Sequence, residues 1–247
     1  METVRIDLHL PTSWQELTTD QLRLVVETAT KGLRREEVLL VLLCKFAGIK
    51  MVSGTYKENG RRFVSTGFVT ADGKPFHLDA GQVSDFCGRL GFVYDTPLPI
   101  DVAWPFKWNR YLMGTSFGDW FHADALILKF SMTGDIISLQ CAMSDLGDPH
   151  PDLQAESADF ILMLKWHECF KEWLQERYPL VFQKSDTADG TGYNPVDARQ
   201  NIMLMLNEGR PQDNEAIEKT NMHDVLAALQ HKIETAKQAE QQLKNIR

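Results

Sequence analysis

"ESADFILMLKWHECFKEWLQERY", residues Glu156 to Tyr178, is apolar over so wide an arc that it reads as a helix buried on most of its sides. Pro179 ends it. Such a helix needs other helices around it, and the stretch before it supplies two. "TSFGDWFHADALILKF" opens at a Thr115 or Ser116 cap and repeats Phe117, Trp120/Phe121 and Leu128 at helical spacing. "TGDIISLQCAMSDL" opens at Thr133 and turns Ile136, Leu139 and Met143 to one side. Three helices between Thr115 and about Arg177 predict a helical bundle.

Towards the N-terminus the period changes. Val4, Ile6, Leu8 and Leu10 alternate with Arg5, Asp7 and His9, a strand pattern that Pro11 stops. Ser13 with Glu16 predicts a short capped turn carrying Trp14. Thr18 with Gln21 predicts a capping box, with Leu17 stapling to Leu22. The helix that follows is expected to run to about Lys31 and stop at Gly32. A second is expected from about Arg35 to Ala47, stopping at Gly48. "RRFVSTGFVTADGKPFHLDA" then sets two extended runs around Asp72-Gly73, a hairpin turn pair, with Gly60 and Gly81 as punctuation. Joined to the first strand, this predicts a small antiparallel sheet. Helical spacing returns at Ala80, and the three prolines of "YDTPLPIDVAWPF" mark an extended connector.

Beyond the bundle, "KSDTADGTGY" at residues 184–193 has linker composition. "NPVDARQNIMLMLNEG" predicts a helix with Asn194 as cap and Pro195 in its first turn, ending at Gly209. A last helix from about Asn221 carries Met222, Val225, Leu226, Leu229 and Ile233 on one stripe, which fades after Glu234. The expected fold is mainly α, of the α+β kind: a helical bundle with a small N-terminal antiparallel sheet and a C-terminal helical extension. The expected division is a core at 1–183, the linker at 184–193 and the extension at 194–247. Removing 184–247 is expected to leave a folded core.

At 247 residues the chain can bury a sizeable core. Its net charge of −8 disfavours a polyanionic partner, since "KGLRRE" and "GRR" are short for a nucleic-acid footprint. The longest apolar run, "VLLVLLC", is too short to span a bilayer. The start is charged and alternating, unlike a secretory signal. Cys44, Cys87, Cys141 and Cys169 are scattered without CxxC pairing, which predicts free, buried thiols and a cytoplasmic protein.

Residues that carry chemistry are few. Asp119 and His122 share a helix face on which a carboxylate can orient an imidazole. Asp124, His167, Glu168 and the loop residues Asp148 and His150 are the remaining candidates. The plainer reading makes Asp119 a helix-start acid and the histidines surface or hydrogen-bonded core groups. No G-x-S-x-G elbow or phosphate loop occurs. "GTSFGDW" lacks the required Lys, and Cys169 lies two positions from His167, on a different helix face. We therefore expect no catalytic residues, no metal and no cofactor, with an enzyme using the Asp119 and His122 cluster kept as an alternative. Trp104, Phe106, Trp108 and Tyr111, beside Lys107 and Arg110, suit pinning of the connector to the core. They also suit a protein interface and, less well, single-stranded bases.

The N-terminal strand followed by Pro11, Trp14, Glu16, Leu17, Thr18, Gln21 and Leu22 resembles the start of phage and prophage tail-region proteins, tail assembly chaperones among them. "TSFGDWFHADALI" and "NMHDVLAALQHKIETAKQ" are similar to helices of such proteins, especially those of Bacteroidetes prophages. The chain is long for a tail assembly chaperone, which leaves a structural accessory role open. The resemblance implies a protein that acts in the bacterial host cytoplasm, without catalysis, by holding apolar helices of a tape-measure or other tail protein. Neither nucleic acid nor a membrane is expected as partner, on the charge and the short apolar runs described above. The expected partner-binding residues are Met203, Met205, Met222, Val225, Leu226, Leu229 and Ile233; a cytoplasmic adaptor unrelated to phage is the other alternative.

Overall fold

The computed structural model describes residues 9–58, 61–148, 153–154, 157–182 and 195–246, and only the backbone of 54–58, 61–66, 195–200 and 245–246. Most of the expected first strand, the linker at 184–193 and the Asn194 cap lie outside the described residues. The fold is mainly helical with one small antiparallel sheet. Contacts divide the chain into two compact units, Met1–Pro105 with Ser157–Leu162, and Phe106–Glu156 with Met163–Arg247. This boundary differs from the one expected at 183, because the C-terminal helices share a core with the helices that follow residue 106.

In the first unit the local signals for the helices work as chemistry predicts. The 3-10 turn at Trp14–Glu16 is held by Glu16, whose carboxylate accepts from Thr12 N at 2.7 Å, while the Ser13 side chain makes no cap bond. α1 (Thr19–Ala29) starts in the expected capping box: Gln21 N donates to the Thr18 hydroxyl, and Thr18 N donates to the Gln21 side chain. α2 (Arg35–Phe46) follows, and Gly32 and Gly48 adopt left-handed φ of 68° and 64° behind the two helices, as glycine allows at no steric cost. Leu17, Leu22, Val25, Leu42 and Leu43 form the unit's interior. Trp14 meets Phe92 edge-on at 5.4 Å and donates to Thr96 O.

The sheet differs from expectation. β1 (Lys50–Glu58) pairs antiparallel with β2 (Arg61–Val69), which pairs with β3 (Pro75–Phe76) across the Asp72-Gly73 turn. The predicted hairpin is present, but its second arm has only two residues, and the long partner of β2 is β1. β1 has one neighbour, β2, so it is an edge strand among the described residues. α3 (Ala80–Arg89) opens with a capping box between Asp79 and Gln82, and α4 (Phe92–Asp95) closes the run.

In the second unit, α5 (Phe117–Thr133) packs against α6 (Ile136–Asp145). Thr133 ends α5 rather than starting α6: Gly134 caps α5 at φ 70°, and Asp135 caps α6 by accepting from Ile137 N. α7 (Ala158–Arg177) is the apolar helix of the opening quotation; from Met163 onward it lies in this unit and buries Trp166, Phe170 and Leu174. α8 (Pro195–Asn207), α9 (Asn214–Lys219) and α10 (Met222–Ile246) complete it. The starts of α5 and α10 are stitched together, Phe117 N donating to Thr220 O at 2.8 Å and Met222 N to Thr115 O at 3.0 Å. Among the described helices none is long and apolar enough to cross a membrane.

Candidate functional site

Among the described residues the candidate acids and histidines do not gather into one centre. The Asp119 carboxylate accepts from the Ser116 hydroxyl at 2.7 Å while Asp119 N donates back to that oxygen, so Asp119 is spent on the start of α5. The imidazole it was expected to orient turns elsewhere. His122 Nδ1 lies 2.8 Å from Asp145 Oδ2 on α6, on an exposed surface. His167 Nε2 on α7 lies 2.8 Å from Asp124 Oδ1 on α5, in a largely buried setting. His150 lies outside the described residues. Glu168 forms an exposed ion pair with Lys165 at 2.8 Å, and the buried Asp148 pairs with the exposed Lys107 at 2.9 Å. The two His–Asp pairs arise between helices, where the sequence spacing carries no trace of them.

The Asp124–His167 pair is the better placed of the two for chemistry. It sits in a groove of about 500 Å3 between α5 and α7, with Ser131, Glu168, Lys171 and Glu172 along the walls. A carboxylate that fixes an imidazole is half of a general-base arrangement. The hydroxyl in the groove's lining, Ser131, donates to Ile127 O at 3.0 Å within its own helix. Among the described residues no three His, Cys, Asp or Glu side chains converge as a metal site would require.

All four cysteines are thiols outside any disulfide, but only Cys169 is buried; Cys44 and Cys87 are half-buried and Cys141 is exposed. Burial, with the carboxylates of Glu172 and Glu168 adding to it, pushes the Cys169 thiol up to about 11. That is the opposite of an activated nucleophile.

The aromatic connector is pinned. Trp104 donates to Ile100 O at 2.7 Å within the first unit. In the second, Phe106 stacks on Trp108 at 4.5 Å, and Trp108 meets Trp166 of α7 at 5.3 Å. Trp166 donates to Arg110 O, and Tyr111 reaches Trp173 at 5.0 Å. His223 of α10 then receives the chain's end of this ladder: its Nε2 lies 2.7 Å from Tyr111 O and its Nδ1 3.0 Å from the Tyr178 hydroxyl. These rings are engaged with one another.

Of the residues expected to bind a partner, Met203, Met222, Val225, Leu226 and Leu229 are buried in the chain's own interior, Ile233 is half-buried, and Met205 is exposed. The stripe of α10 is therefore core, because α5 and α8 lie along it. The exposed apolar groups of the C-terminal helices are different ones. Leu204 is 60% exposed and Met205 44% on α8, and Leu243 is 65% exposed on α10. Every residue of α10 from Glu234 to Lys244 is exposed. Lys232 ties the two helices, donating to Met205 O at 3.1 Å and pairing with Glu208 at 2.8 Å. Leu204 could have been found in "NIMLML", where it stands between two methionines.

No protein family, curated protein or solved structure matches the chain.

Proposed function

We propose that this chain is a non-enzymatic interaction protein of a phage or prophage tail module, chaperone-like or structural, that holds a helical segment of another tail protein against α8 and α10. The observation that carries the reading is the exposed apolar surface of these two helices: Leu204 and Met205 stand exposed on α8, and Leu243 lies in a run of α10, Glu234 to Lys244, that is exposed at every residue. Helix-on-helix docking uses such a surface, with apolar anchors at its centre and a polar surround. Methionine suits a surface that adapts to several sequences. A tape-measure protein, rich in apolar helix, is the partner that the sequence resemblance implies, and contact alone would keep it from aggregating.

Co-expression with the tape-measure protein of the same module tests this. The expected result is a soluble complex that purifies together and that a Leu204→Glu, Met205→Glu double variant loses. A tape-measure protein equally insoluble with and without the chain contradicts it.

A catalytic reading has the Asp124–His167 pair and its groove in its favour, in place of the Asp119 and His122 cluster. Turnover of a small compound that is lost in His167→Gln, with the fold retained, would establish it.

A further inference from the structure

β1 is an edge strand of nine residues, "KMVSGTYKE", whose outer side has no strand beside it among the described residues. Such an edge invites pairing unless it is short, interrupted by proline, or blocked by charge. β1 is long and has no proline, and Met51 and Val52 are 52% and 45% exposed. Its charges stand at the ends, Lys50 at one and Lys57 and Glu58 at the other.

We propose that this edge pairs antiparallel with β1 of a second copy of the chain, about a two-fold axis at Gly54, giving one continuous sheet across the dimer. The register follows from the sequence. A two-fold at position 54 sets residue 50 opposite residue 58, 52 opposite 56, and 53 opposite 55. Lys50 then faces Glu58 of the other copy, twice by symmetry. Val faces Tyr, a β-branched residue against an aromatic, and Ser faces Thr; all three are favourable cross-strand pairs. Glycine falls at the centre, where the two strands meet themselves and a side chain would face its own copy. In this register the charges at the extreme ends, Lys50 and Glu58, are complementary, and Lys57 falls opposite the uncharged Met51.

The surface around the end of β1 fits the same occupant. Leu40, Val41, Cys44, Lys45, Ile49 and Met51 are among the residues lining a groove of about 580 Å3 beside Lys50. The end of the second copy's strand that carries Glu58 arrives at that groove, next to two exposed lysines, Lys45 and Lys50. No tail protein is needed for this contact, so it is separate from the interaction proposed for α8 and α10.

Sedimentation equilibrium on the full chain, with amide exchange as a second readout, tests the proposal. The expected result is a dimer that weakens roughly tenfold in Lys50→Glu and in Glu58→Lys, each of which sets like charges opposite one another twice. The doubly reversed chain is expected to recover, because the pair is rebuilt with its signs exchanged. Amides of Lys50–Glu58 are expected to exchange more slowly as concentration rises in the wild-type chain. A chain that stays monomeric to roughly 0.5 mM, a weak limit on the affinity scale, overturns the proposal. So does a dimer indifferent to both reversals, or one whose β1 amides show no dependence on concentration.

Discussion

Cys169 and Tyr178 show how burial converts side-chain chemistry into a dependence of stability on pH. The Cys169 thiol is raised from 9.0 to about 11, first by burial and then by Glu172 and Glu168, and the Tyr178 hydroxyl is raised by burial too. In the unfolded chain the thiol ionises near its ordinary value, so between 9.0 and about 11 the unfolded state holds fewer protons than the folded one. Stability is therefore intact below pH 9.0 and falls as pH rises towards about 11. Urea unfolding at a series of alkaline pH values checks this. The fall should be shallower in Cys169→Ala, and an identical fall in that variant contradicts the assignment. At this scale the sequence was informative about caps and poor about partners. The Thr18–Gln21 box could be read because both groups lie within one turn. Asp124 and His167 are 43 positions apart in sequence, and only packing of α5 on α7 joins them.

At the scale of elements, Gly118 explains how α9 comes to lie against α5. A Cβ at this position would stand 3.2 Å from Glu218 O and 3.3 Å from Glu218 Cβ, so any side chain pushes α9 away. The glycine of "GTSFGDW" serves close packing, which fits the absence of a phosphate-loop lysine. Gly118→Val should cost about 1–3 kcal/mol, the usual range for overpacking. An unchanged unfolding midpoint would show that α9 yields freely. Most helices were legible because their apolar spacing and caps agree with the packing they enter. α9 was missed because a helix of six residues has too little pattern to stand out. β1 was missed because Met51 and Val52 break the alternation and Gly54 interrupts it. The signal that could have revealed it is Asn59-Gly60: Glu58 pairs with Arg61, leaving just these two residues to connect the strands, and Asn-Gly is the preferred pair for such a connection.

At the scale of the whole molecule, the C-terminal region has two parts with different roles. Met222, Val225, Leu226 and Leu229 belong to the interior of the second unit, whereas Glu234–Lys244 is exposed throughout. Deleting residues 184–247 therefore removes core, contrary to the expectation from linker composition, and should strip the second unit of its cooperative unfolding. Deleting 234–247 should leave the thermal midpoint within a few degrees of the full chain, since surface changes away from the core cost little. Equal behaviour of the two truncations would contradict this division. The sequence showed the stripe on α10 but not which surface it faces, because amphipathicity states that a helix has a neighbour without saying whose. The central claim is that contact through the bare side of α8 and α10 is what this chain does. Its most direct test is the affinity of the full chain for an isolated tape-measure helix, measured by calorimetry in the wild type, the Leu204→Glu, Met205→Glu double variant and His167→Gln. Fully burying an apolar side chain is worth about 1.5–3 kcal/mol, and Leu204 and Met205 have 60% and 44% of their surface left to bury, so the double variant should bind at least roughly tenfold more weakly. His167→Gln should bind as the wild type does; equal affinity in all three proteins, or no binding in any, would contradict the account.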